Sequence, residues 1–98
     1  MTDYQKSVVL ESLETSIRRY KMKALATFKE GIEFLQDQIN QVNDYDVDTR
    51  FSAMARLENY TELLESVFEI DIPVEQTHDY KYVIRYDLMH PNVRKKIV

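Results

Sequence analysis

The sequence predicts a mainly α domain: a long N-terminal helix and an antiparallel second helix form a helical hairpin, followed by a short β-hairpin or a third helix at the C-terminus. Three observations predict it. Apolar residues recur every three or four positions as far as Phe68. The stretch NDYDVDT, rich in turn and capping residues, interrupts that pattern once. Beyond Phe68 the apolar period changes to two.

The first element covers residues 4–42, where Leu10, Leu13, Ile17, Tyr20, Ala24, Phe28, Ile32, Leu35, Ile39 and Val42 share one helical face. At about 1.5 Å per residue such a helix reaches roughly 58 Å, whereas a compact domain of this size has a radius of gyration near ~13 Å. The rod therefore outgrows its domain. The second helix, over residues 48–68, carries Phe51, Met54, Leu57, Thr61, Leu64 and Phe68 on one stripe, with Asp46 or Asp48 as its cap. It is long enough to line only about 30 Å of the first. Val8, Val9, Leu10, Leu13, Ile17 and Tyr20 are left to be covered, each contributing on the order of 1.5 to 3 kcal/mol when buried. The expectation is a homo-oligomer with Leu10, Leu13, Ile17, Tyr20, Ala24 and Gly31 at its interface. Gly31 is the only glycine; it costs about 1 kcal/mol against alanine in a helix interior, and a close helix crossing is its expected reason.

Residues 70–89 read two ways. Phe68, Ile70, Ile72 and Val74, and later Tyr80, Tyr82, Ile84, Tyr86 and Leu88, alternate in β-favouring types, which fits a hairpin. Tyr80, Val83, Ile84 and Leu88 also share a helical face, so a third helix stays open, with the strand reading preferred. Residues 90–98 form a basic tail. No linker or repeat divides the chain, so residues 1–98 are read as a single domain.

The net charge of −4 is unevenly distributed. Residues 1–43 balance six acids with six bases, residues 44–79 set ten acids against Arg50 and Arg56, and residues 80–98 set five bases against Asp87. An acidic middle and a basic tail can attract each other, a second copy or a different partner. With no cysteine, disulfide frameworks and thiolate metal sites are excluded, and a cytoplasmic location is the expectation. No run of apolar residues is long enough to suggest a membrane span or a signal peptide.

Chemical motifs are sparse. A single glycine excludes phosphate-cradling loops of the P-loop or dinucleotide type. Glu11 with Glu14, Glu30 with Glu33, and Glu62 with Glu65 repeat a Glu-x-x-Glu spacing. That spacing is similar to the metal-binding helices of all-α nucleotide pyrophosphohydrolases, whose accompanying Asp pattern this chain lacks. The pairs are read as solvated surface, and no metal, cofactor or catalytic residue is assigned. His78 follows Glu75 by three residues, but Pro73 places that pair in a loop. Arg18, Arg19 and Lys23, together with Arg94, Lys95 and Lys96, are candidate anion-binding residues. A pI near 5.1 argues against a dedicated nucleic-acid binder. The seven tyrosines exceed what so small a core needs and suit a protein interface. The expectation is a non-enzymatic, oligomeric interaction module, regulatory or inhibitory, with itself and another protein as partners. The alternative is a small-molecule or nucleotide-like anion binder with its site between subunits.

Overall fold

The computed structural model describes residues 1–24 and 27–97, without the side chains of residues 22–24. The chain is mainly helical, as the sequence predicts, but no single helix spans residues 4–42. α1 is Asp3–Ala24 and α2 is Phe28–Val42, with Thr27 extended before α2 at φ −141° and ψ 146°. Thr27 is the N-cap of α2: its hydroxyl accepts from the Glu30 N–H at 3.1 Å, satisfying a donor that the first helical turn leaves open. Threonine followed three residues later by glutamate is a capping-box sequence.

The chain reverses at this break. Tyr20 of α1 stacks on Phe34 of α2, ring centroids 4.6 Å apart, and Val8 and Ser12 line a groove with Gln38 and Gln41. α1 and α2 are therefore antiparallel. α3, Val47–Phe68, is capped by Asp46, whose carboxylate accepts from the Thr49 N–H at 2.9 Å. Its far end returns to the start of α2, where Phe68 meets Phe28 edge-on at 5.6 Å. Arg56 of α3 reaches Glu14 of α1 at 2.7 Å. The three helices form an up-down-up bundle whose longest extent is 43 Å.

This geometry removes the mismatch between rod and domain. Leu10 and Leu13 are buried within their own chain at 8% and 5% exposure, and Ile17 packs against the same core. Of the stripe on which the sequence predicts a homo-oligomer, Leu10, Leu13 and Ile17 are taken into the chain's own core, while Val8 and Tyr20 stay 46% and 44% exposed. Tyr20 covers Phe34, Gly31 is buried near the start of α2, and the side chain of Ala24 lies outside the described residues. Ile32, Leu35, Ile39, Leu57 and Leu64 form the centre of the core. No helix among the described residues is long and apolar enough to cross a membrane.

The C-terminal third adopts the strand alternative. β1, Val74–Gln76, pairs antiparallel with β2, Tyr82–Ile84, in the register Val74 to Ile84 and Gln76 to Tyr82. Ile72 and Ile84 are buried on the bundle side, and Met89 joins them after a 3₁₀ turn at Tyr86–Leu88. α4, Pro91–Arg94, starts the basic tail, which Val93 and Ile97 anchor against the core; Val98 lies outside the described residues.

Two polar side chains seat the hairpin. Asn43, at the end of α2, donates through Nδ2 to the Tyr82 carbonyl and accepts at Oδ1 from the Tyr82 N–H, both at 2.8 Å. Arg50, only 7% exposed, donates to the carbonyls of Tyr80 at 2.6 Å, Tyr45 at 2.8 Å and Asn43 at 3.0 Å. Among the described residues no carboxylate pairs with it. Tyr80 itself sits at φ 62°, a left-handed conformation unfavourable for a bulky residue. The Arg50 bond to its carbonyl helps to hold it there.

Replacing Arg50 with methionine keeps the volume but leaves three carbonyls without their charged donor. Arg50→Met is expected to lower stability by on the order of 3 kcal/mol in urea unfolding and to speed amide exchange at Tyr82. Thr27→Ala removes only the cap and is expected to lower stability by about 1 kcal/mol in the same measurement.

Candidate functional site

The acidic middle of the sequence becomes one side of the molecule, formed by α3 and the hairpin that lies along it. The two bases of residues 44–79 do not neutralise that side. Arg50 is buried on carbonyls, and Arg56 turns toward α1, bonding Glu14 and the Ser52 carbonyl. Asp44, Asp48, Glu58, Glu62, Glu69 and Asp71 are all exposed, and none of them is in an ion pair among the described residues.

Between α3 and the hairpin runs a groove of about 210 Å³. Met54, Thr61, Ile72, Val74 and Tyr82 line it, with Glu58, Glu62 and Glu65 along the α3 wall. The spacing of those three glutamates puts them on one helical face. Glu65 also fixes the entry to β1 by accepting from the Ile72 N–H at 3.0 Å. Burial, and then the negative charge of Glu58, raise the pKa of the Tyr82 hydroxyl, while Arg50 opposes them. The groove is smaller than the roughly 300–1,000 Å³ of small-molecule pockets. Its dimensions suit individual side chains.

Near the hairpin turn the surface becomes aromatic. Phe51 and Tyr80 meet edge-on at 6.5 Å and remain 43% and 55% exposed, with Val47, 39% exposed, one turn before Phe51. Asp48 is exposed in the same turn of α3, and Asp79 precedes Tyr80. Hydrogen bonds from Thr49, with help from the Met1 ammonium, hold the Asp46 carboxyl down at about 2. An aromatic face rimmed by carboxylates is chemically suited to a cation.

The sequence-predicted sites are more dispersed. Arg18 and Arg19 stand exposed on α1, and Arg94, Lys95 and Lys96 are exposed on the tail. Lys96 lines a groove with Lys29 and Phe28 at the start of α2, but Glu30 and Glu33 line the same groove. The side chain of Lys23 lies outside the described residues. His90 caps α4, its Nδ1 accepting from the Asn92 N–H at 3.2 Å, and His78 is exposed in the hairpin turn. Among the described residues no three carboxylate or imidazole groups converge as a metal site.

Sequence reasoning named the acidic stretch and its tyrosines but missed the seats, Asn43 and Arg50, and the pairing of Phe51 with Tyr80. Thirty residues separate Arg50 from Tyr80, so no local pattern could announce their contact. Comparison with protein families, with curated proteins and with solved structures finds no match.

Tyr60, on the inner side of α3, is 2% exposed and its hydroxyl has no hydrogen-bond partner. Burial pushes its pKa up to about 12 from the ordinary 10.0. With the folded pKa above the unfolded one, stability is indifferent to this group below pH 10.0 and falls as pH rises toward about 12, because the unfolded chain ionises first. In an alkaline absorbance titration Tyr60→Phe is expected to delete the highest tyrosinate step. Removal of the unpartnered hydroxyl is also expected to raise stability by about 1 kcal/mol.

Proposed function

We propose that the protein is a non-enzymatic interaction module whose α3 and hairpin side binds a basic protein partner. The observation that carries this reading is the acidic excess of residues 44–79 on a surface where Arg50 and Arg56 are directed elsewhere, Arg85 of the hairpin is paired with Glu75 and Asp87, and Lys81 stands near Asp79 at the turn. A surface of this kind attracts cations over several ångströms and rejects acidic surfaces. Phe51 and Tyr80 add apolar, stiff contact area, the type that dominates binding energy where a partner excludes water. The protein acts by occupying the partner's surface, as a regulator or inhibitor does.

Immobilised wild-type protein and the double variant Glu58→Lys, Glu62→Lys are compared as baits in host lysate, with quantitative mass spectrometry of what each retains. Basic proteins should be retained by wild type and reduced by about tenfold or more on the variant, because each reversal replaces an attraction with a repulsion. Equal retention by both baits would sink the reading. Circular dichroism checks that the variant remains folded.

A further inference from the structure

We propose that the partner docks as an extended, basic segment that adds to the outer edge of β1 as a third strand, with its side chains in the α3 groove. This rests on the proposed acidic-face function and specifies the binding mode.

The ladder defines the two edges. Arg85 N–H bonds the Pro73 carbonyl at 2.8 Å and Thr77 N–H bonds the Lys81 carbonyl at 2.7 Å. In the antiparallel register, Pro73, Glu75 and Thr77 therefore direct their backbone groups at β2, whereas Val74 and Gln76 direct theirs away from it. On β2 the outward residues are Tyr82 and Ile84, and the Asn43 amide closes that edge at Tyr82 by matching both backbone groups. Among the described residues the sheet has only these two strands, so the Val74 and Gln76 edge has no strand partner. Packing of Ile72 and Ile84 on the bundle stabilises the hairpin, and the outward backbone groups of β1 remain a template for an added strand.

What borders this edge selects the occupant. A strand presents alternate side chains to one face. Apolar side chains facing the bundle would meet Met54, Ile72, Val74 and Tyr82, and long cationic ones would reach Glu58 and Glu62. Main-chain bonds supply affinity in this mode, and pockets for alternate side chains supply specificity. Charge complementarity is the reason for a basic rather than a neutral segment, since the wall facing the edge carries glutamates and no base. Past the edge, the exposed faces of Phe51 and Tyr80 offer a further cation its place by cation–π attraction.

The test uses an octapeptide that alternates lysine with valine, titrated into the ¹⁵N-labelled full chain. At saturation the Val74 and Gln76 amides should exchange at least about tenfold more slowly, because each becomes bonded to the added strand. Gln76→Pro removes one outward donor without touching the β2 ladder and should weaken binding by about tenfold. The Glu58→Lys, Glu62→Lys variant should weaken it at least as much. Charge-dependent binding without protection at Val74 and Gln76 overturns strand addition, pointing instead to a helical or disordered ligand, and leaves the acidic-face function standing. Absence of binding at millimolar peptide, or binding indifferent to the charge reversal, overturns both. If Gln76→Pro unfolds the hairpin, amide protection in the wild-type chain decides the outcome.

Discussion

The position of the hairpin turn and its aromatic surface depends on one buried cation. Arg50 satisfies the Asn43 and Tyr45 carbonyls at the corner that follows α2 and, with the same guanidinium, the Tyr80 carbonyl of the hairpin turn. Carbonyls at the C-terminal end of a helix are unpaired and carry the negative end of its dipole. α2 has no basic residue in its last turn, and Arg50, from the first turns of α3, supplies the missing charge. The guanidinium is buried without a carboxylate on three carbonyl oxygens, with its Nε left unpartnered. The hairpin takes its position from the Arg50 bond at Tyr80 together with the two bonds of Asn43 at Tyr82.

The helical content was legible because burial imposes a period that burial alone can explain. The boundary between α1 and α2 was not, for a specific reason. Ala24, Phe28 and Ile32 keep the same phase across the break, so hydrophobic spacing reports two antiparallel helices as one. What distinguishes them is polar: the Thr27 hydroxyl on the Glu30 N–H, a capping signal of about 1 kcal/mol set against a stripe of much larger total energy. Gly31 draws attention as a defect in a long rod, whereas it lies just past that cap in a short helix. The strand alternation at Ile72, Val74, Tyr82 and Ile84 was readable, but the residues that seat those strands were not. Asn43 and Tyr82 are 39 positions apart, and an asparagine after a helix ordinarily signals only its end.

Charge sorting follows from the same fold. The sequence has its acids in the middle, but a chain segment is not a surface. Residues 44–79 become one side because α3 and β1 are neighbours across the groove, joined at its far end by the Glu65 bond to Ile72. Arg85, which could neutralise the hairpin, is engaged with Glu75 and Asp87, each at 2.7 Å, and these exposed pairs are worth little to stability. Their consequence is spatial: they take the one arginine of the strand region out of reach of the α3 wall.

Strain at Tyr80 ties presentation to stability. A left-handed tyrosine costs on the order of 1–2 kcal/mol relative to ordinary backbone, and turns that need this conformation usually carry glycine or asparagine there. Neither substitute would place an aromatic ring against Phe51. The ring is more than half exposed, so it adds little to the core, and the conformation is sustained by the Arg50 bond to its carbonyl. A ligand that covers Phe51 and Tyr80 therefore binds only the folded hairpin and must stabilise it by linkage. Binding at the turn and order at the Arg50 corner are two readings of one equilibrium, in which the exposed aromatic pair is the part that a partner can reach.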